Sequence, residues 1–166
     1  MTKLLMVCMG NICRSPMAQA VTRKLAVEAQ CAGQLKVDSA GTHVPNLGER
    51  PDPRAQATLV RHGYKVERIR SRRITPPDFQ NFDLILAMDA NNLAELRRLC
   101  PPEALNKIRL FLEFAEGRIE TEIPDPYYGD AAGFERVLDL CEAGARGVIK
   151  HLGVNMLFQP YSAYTL

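Results

Sequence analysis

The apolar run Lys3-Leu4-Leu5-Met6-Val7 opens the chain and predicts a first strand. Similar short runs predict strands at Leu35–Ala40, Asp83–Met88 and Ile108–Leu112. Longer stretches with helical spacing lie between and after them, predicting helices over Pro16–Cys31, Pro53–His62, Ala90–Leu99 and Ala131–Leu152. Punctuation agrees with this division. Asp52-Pro53 reads as a cap followed by a first-turn proline, Gly63 as a stop, Asp89 as the cap of the third helix, and Cys100-Pro101-Pro102 as its end. Pro76-Pro77-Asp78-Phe79 predicts one short extra turn. Strands alternating with helices specify a parallel sheet covered on both faces, and such sheets bind ligands at the carboxyl ends of their strands.

The 166 residues suffice for one domain with one substantial core, and no repeat, linker or second domain interrupts them. Residues 1–152 are expected to form that domain and 153–166 a C-terminal tail, where Leu157, Phe158 and Tyr161 either pack back or meet a partner. A net charge of +2 gives no nucleic-acid or membrane footprint. Met1 to Val7 is too short for a signal peptide, and no apolar stretch could span a bilayer. Five cysteines, an odd count without a CxxC pair, fit a reducing compartment, so a cytoplasmic location is expected.

The most informative segment is Cys8-Met9-Gly10-Asn11-Ile12-Cys13-Arg14-Ser15. A strand delivers Cys8, a loop turns its backbone N–H groups inward, and a helix starting near Pro16 lies beneath. Those N–H groups and the helix dipole make a site for a dianionic oxyanion, and the same field favours thiolate over thiol. Arg14 adds a planar fork of donors matched to two phosphate oxygens. Ser15 can cap the helix or hold the sulfur by a hydrogen bond. The plain alternative makes Cys8 a small buried hydrophobe and Gly10-Asn11 an ordinary turn. The strand before and the helix after favour the chemical reading: sulfur attacking phosphorus.

Moving a phosphoryl group off a phenol or alcohol also needs a proton donor for the departing oxygen. Asp125 is the candidate, held in Ile123-Pro124-Asp125-Pro126-Tyr127-Tyr128-Gly129-Asp130 between two stiffening prolines. The adjacent tyrosines could wall a slot for a flat aromatic ring. The competing reading is a loop in which Asp130 caps the last helix and the tyrosines pack on the core; spacing alone leaves both open.

Val7-Cys8-Met9-Gly10-Asn11-Ile12-Cys13-Arg14-Ser15-Pro16 resembles the phosphate loop of the low-molecular-weight protein tyrosine phosphatases. Val37-Asp38-Ser39-Ala40-Gly41-Thr42, Pro51-Asp52-Pro53-Arg54, Arg61-His62-Gly63, Phe82 to Asp89 and Asp125-Pro126-Tyr127-Tyr128-Gly129 follow in the family's order, so the resemblance covers about residues 3–152. It implies Cys8 as nucleophile, Arg14 as binder of phosphate and transition state, and Asp125 as general acid, then base. Met9, Gly10, Asn11, Ile12 and Cys13 complete the loop, Ser15 steadies the sulfur, Asn11 with Ser39 braces the loop, and Tyr127 and Tyr128 line the slot. The expected fold is a single three-layer α/β domain, a four-stranded parallel sheet in flavodoxin-like order 2-1-3-4 with helices on both faces. Phosphotyrosine-containing proteins are the expected partners, a tyrosine kinase among the candidates, with the protein a monomer or weak dimer. No cofactor is expected, and the scattered His43, His62 and His151 show no metal-ligand spacing.

Two positions depart from the family pattern or refine it. Many members carry an aromatic wall where Pro45 stands here, so the slot is expected to be shallower or completed by His43. Ile12 fits tyrosine-specific members, whereas related phosphoarginine phosphatases tend to have threonine there. Arsenate reductase, a phosphocysteine carrier and a dead phosphopeptide-binding module are the rivals. The first needs two close relay cysteines, which Cys31, Cys100 and Cys141 do not supply by spacing, and the other two have no use for Asp125. Family members also suggest Cys13 as a resolving thiol for oxidised Cys8, with simple loop packing as the alternative. Arg68, Arg70, Arg72 and Arg73 form a basic run, read as a solvated face or as steering for acidic phosphopeptides.

Overall fold

The structure is a computed structural model and describes residues 1–153; most of the expected tail, 154–166, lies outside the described residues. The elements run β1 (Thr2–Cys8), α1 (Arg14–Glu28), β2 (Leu35–Gly41), α2 (Pro53–Arg61), α3 (Pro76–Asn81), β3 (Leu84–Ala87), α4 (Ala90–Leu99), β4 (Ile108–Leu110) and α5 (Ala131–His151). All strand pairs are parallel, and the sheet order is β2-β1-β3-β4, as expected.

β1 alternates its side chains between two cores. Leu4, Met6 and Cys8 join Met17, Val21, Phe134 and Val148 on the face covered by α1 and α5. Leu5 and Val7 join Phe79, Ile85, Leu96 and Ile108 under α3 and α4. A strand buried on both sides must be apolar at every step, which explains the unbroken run at Leu4–Val7. Each such side chain contributes about 1.5–3 kcal/mol by leaving water. The last helix sits close: a Cβ at Gly147 would stand 1.7 Å from the carbonyl oxygen of Phe114, so only glycine admits this approach.

Three elements differ from the sequence expectation by more than one residue at an end. Helix α1 begins at Arg14 rather than Pro16 and ends at Glu28, because Gln30 turns left-handed (φ 56°) and leaves Cys31 beyond it. β4 stops at Leu110, where the Glu113 carboxylate accepts the Leu110 N–H at 3.0 Å and draws Phe111–Phe114 into a tight turn. The prolines at 76 and 77 start a six-residue helix rather than a single turn. The expected caps form: Asp52 accepts from Arg54 N–H, Asp89 from Asn92 N–H and Asp130 from Gly133 N–H.

Register brings the strand ends to one edge. Cys8 pairs with Gly41, and Val7 with both Ala40 and Ala87. The loops after β1, β2 and β3 therefore meet at the carboxyl edge. No described helix is long and apolar enough to cross a membrane.

Candidate active site

Cys8 ends β1 and is 3 % exposed. Two donors reach its sulfur: the Asn11 N–H at 3.3 Å and, at 3.0 Å, the Ser15 hydroxyl. Asn11 takes φ 56°, a left-handed conformation that costs a non-glycine residue on the order of 1–3 kcal/mol and persists only when its surroundings impose it. Here they do. The Arg72 N–H donates to Asn11 Oδ1 at 2.8 Å, which fixes the amide so that Nδ2 donates to both Ser15 Oγ and Ser39 Oγ at 2.9 Å. Ser15 Oγ is thus already an acceptor, and its own proton can go to the Cys8 sulfur at 3.0 Å or to the Ala40 carbonyl at 3.3 Å. Behind Ser39 Oγ, the buried Gln19 amide lies 2.6 Å away. Ser15 lies inside α1, whose N-cap is Cys13 with no side-chain cap; the capping reading of Ser15 gives way to the sulfur contact.

The loop rests on the end of β2. Thr42 N–H donates to the Cys8 carbonyl and His43 N–H to that of Met9, at 3.0 and 2.9 Å. A Cβ at Gly41 would lie 2.5 Å from the Met9 oxygen, so a larger residue there would push the loop off its seat.

Arg14, the first residue of α1, is 3 % exposed. Its Nη1 donates to Asp89 Oδ2 at 2.5 Å and to the Ile123 carbonyl at 3.0 Å, while Nη2 lies 3.5 Å from Asp125 Oδ2. Burial works against its charge, but Cys8, Asp89 and Asp125 outweigh that and raise its pKa further above the ordinary value. The guanidinium is therefore a permanent cation at the floor of the site. Asp89 serves twice: Oδ1 caps α4 and Oδ2 aims Arg14.

Asp125 arrives on the long loop before α5, which is anchored where Ile123 N–H donates to the Met88 carbonyl at 2.8 Å. Its Oδ1 accepts from Tyr127 N–H at 3.1 Å, leaving Oδ2 toward Arg14. Tyr127 and Tyr128 stand edge to face, centroids 5.0 Å apart, and Tyr128 is 96 % exposed.

These groups open onto one cleft of about 320 Å³. Of the residues singled out in the sequence, Cys8, Met9, Gly10, Ile12, Cys13, Arg14, His43, Pro45, Asp125, Tyr127 and Tyr128 line it; Asn11, Ser15 and Ser39 stand behind the loop. Burial, together with the charges of Asp52, Cys8 and Asp125, pushes the Cys13 thiol up to about 12, against a partial opposing pull from Arg54. Cys31, Cys100 and Cys141 are buried, none lines the cleft, and burial raises the pKa of each. Among the described residues no cluster of His, Cys, Asp or Glu could hold a metal ion.

Asn46 and Glu49 also line the cleft without having been singled out. Their segment is shaped by Ser71, whose Oγ donates to the Asn46 carbonyl and accepts from Glu49 N–H, while its own N–H donates to the Glu49 carbonyl. The basic run is only partly a solvated face. The Arg72 side chain donates to Asp38 and Asp78, and that of Arg73 to the Val44 carbonyl. An arginine within such a basic run gives no local sign of these partners. Asp89, read only as a cap, likewise hid its second task.

Residues 3–157 match the family model described as low molecular weight phosphotyrosine protein phosphatase. A low molecular weight protein-tyrosine-phosphatase of Streptomyces coelicolor is 42 % identical over 146 residues, covering 86 % of this chain and 88 % of its own. A human low molecular weight phosphotyrosine protein phosphatase is 38 % identical over 148 residues, covering 89 % and 93 %. The crystal structure of a protein tyrosine phosphatase from Entamoeba histolytica with Hepes in its active site superposes with a TM-score of 0.89 at 41 % identity, covering 92 % of this chain and 97 % of that one. A low molecular weight phosphotyrosine phosphatase from Vibrio cholerae gives 0.87 at 37 % identity, covering 93 % and 98 %. The family model and these relatives match nearly the whole chain, and the chain belongs to the low molecular weight phosphotyrosine protein phosphatase family.

Proposed function

We propose that the protein hydrolyses phosphotyrosine in proteins, and aryl phosphates generally, through a phosphocysteine intermediate on Cys8. The observation that carries this reading is the convergence of three groups on one cleft: a cysteine sulfur hydrogen-bonded by a loop N–H and a serine hydroxyl, a buried guanidinium beside it, and a carboxylate 3.5 Å from that guanidinium. Cys8 Sγ attacks phosphorus in line, forming the S–P bond as the P–O bond to the phenol breaks. Asp125 gives its proton to the departing oxygen. Water then attacks the phosphocysteine while Asp125 takes a proton from that water, forming the new P–O bond as the S–P bond breaks, releasing inorganic phosphate and restoring the thiolate. Loop amides and Arg14 stabilise the equatorial oxygens in both steps. Asp89 and the Ile123 carbonyl occupy only Nη1, which leaves Nη2, 3.5 Å from Asp125 Oδ2, to turn to the phosphate.

Asn11, with Ser39 behind it, keeps the loop in its left-handed turn, and Ser15 serves the sulfur as donor and the leaving thiolate afterwards. Tyr127, Tyr128, His43 and Pro45 form the slot, and a proline offers a smaller wall than an aromatic residue would at that place. Phosphotyrosine-bearing proteins are the proposed partners, a tyrosine kinase among them, for a monomer or weak dimer in the cytoplasm, where five free cysteines are at home. Cys13 is proposed as the thiol that captures Cys8 after peroxide has oxidised it to a sulfenic acid, expelling water and forming a disulfide.

The test is turnover of an aryl phosphate together with acid-quench trapping. The native enzyme should yield a labelled phosphocysteine at position 8. Cys8→Ser should lose turnover while still folding and binding phosphate. Turnover persisting in Cys8→Ser would end this reading.

A further inference from the structure

The loop that carries Asp125 is exposed, yet one side chain ties it to the phosphate loop, and neither the nucleophile nor the slot accounts for that side chain. Arg54, the second residue of α2, extends across the gap between the two loops. Its backbone N–H and its Nε donate to Asp52 Oδ1, and Nη2 donates to Asp52 Oδ2, at 2.8, 3.0 and 2.9 Å. Nη1 donates to the Tyr127 carbonyl at 3.0 Å. The guanidinium also lies over the rings of Phe134, at 4.8 Å, and Tyr127, at 5.5 Å.

One end of this connection reaches the phosphate loop and the other Asp125, each through one further hydrogen bond. Asp52 N–H donates to the carbonyl of Ile12 in the phosphate loop at 2.8 Å. The Tyr127 residue whose carbonyl Arg54 holds is also the one whose N–H holds Asp125 Oδ1. We infer that the Asp52–Arg54 pair is a strut that sets the distance and heading of Asp125 relative to the phosphate loop, making Arg54 a positioning residue for proton transfer to the leaving group. This rests on Asp125 being the acid, as proposed above.

Physical reasoning favours Arg54 over the loop's own stiffness as the source of position. The Asp125 side chain is 42 % exposed, and its only described hydrogen bond within the loop is to Tyr127 N–H. The Asp52 side chain is 9 % exposed and gripped by two guanidinium nitrogens, a planar geometry that lysine cannot reproduce. A displacement of about 1 Å at a proton donor can cost on the order of 10²-fold in rate.

The experiment measures kcat/KM for a series of aryl phosphates running from phenyl to 2,4-dinitrophenyl phosphate, in the native enzyme, Arg54→Met, Arg54→Lys and Asp125→Asn with and without Arg54→Met. Arg54→Met should slow phenyl phosphate about tenfold and the dinitrophenyl ester, whose phenolate leaves unaided, less than about twofold. Competitive inhibition by inorganic phosphate should stay unchanged, and Arg54→Lys should recover only part of the loss. In the Asp125→Asn background, Arg54→Met should add nothing to the dependence on leaving group. A uniform loss across the series, or an undiminished Arg54 effect without Asp125, would overturn the strut. Arg54→Lys carries the same test alone should Arg54→Met fail to fold. If Asp125→Asn itself leaves the slope of the series unaltered, the acid assignment fails instead, which separates the two readings.

Discussion

The phosphate loop and the acid loop face each other across the cleft and are built on opposite plans. In the first, Asn11, Arg14 and Ser15 are each no more than 3 % exposed, and every polar side chain there has a partner fixed by another. In the second, the Asp125 side chain is 42 % exposed, Tyr128 almost wholly so, and few bonds hold the segment down. The contrast follows from the work that the proposed mechanism assigns to each. Charge develops on the phosphoryl oxygens in both steps, so donors already in place stabilise it without reorganisation. The acid must serve one oxygen on a departing phenol and another on an incoming water, and the tyrosine wall must admit different chains.

Breaking the buried side should cost most. Arg14→Lys keeps charge but loses the planar fork held by Asp89 and the Ile123 carbonyl; kcat on an aryl phosphate should fall about 10²–10³-fold for every leaving group. Asp125→Ala, on the open side, should slow poor leaving groups by about 10²–10³-fold and activated phenols much less, measured as kcat/KM across the series. Equal damage for all leaving groups would erase the distinction between the loops.

Cys13 sharpens the comparison through pH. Its thiol stands at about 12 against an ordinary 9.0, so the folded state holds a proton that the unfolded chain gives up sooner. That contribution to stability is whole below pH 9 and disappears as pH rises toward 12. Urea unfolding of the native protein should therefore weaken more steeply over that window than unfolding of Cys13→Ala. The same elevation makes Cys13 a slow resolving thiol at neutral pH. Mild peroxide should inactivate the enzyme reversibly, and irreversibly in Cys13→Ser; full thiol-dependent recovery of that variant would remove the redox role. The smallest effect belongs to the outermost residue, with Tyr128→Ala changing KM for a phosphotyrosine peptide by about twofold and kcat hardly at all.

What the sequence disclosed divides along similar lines. β1 and the octet after it are local, with apolar run, loop and helix start contiguous, so the proposed nucleophile and its anion clamp are legible directly. Asp125 reaches Arg14 only because a loop returns from the far side of α4 and β4, and no spacing rule encodes that. Its proposed role rests on a resemblance of several ordered motifs. The second oxygen of Asp89, the Ser71 bonds behind Glu49 and the Arg72 N–H that orients Asn11 were invisible for the same reason: each partner lies on another element. β4 ended early because Glu113 captured the Leu110 N–H, a competition between side chain and ladder that apolar patterning ignores.

The division of labour within the Asp89 carboxylate has a practical consequence for anyone altering this enzyme. Removing the carboxylate would unseat the start of a helix and unaim a cation in one stroke, so lost turnover and lost stability would arrive together. Asparagine, which keeps an oxygen for the Asn92 amide but withdraws the negative charge from Arg14, is the exchange that pulls those two losses apart.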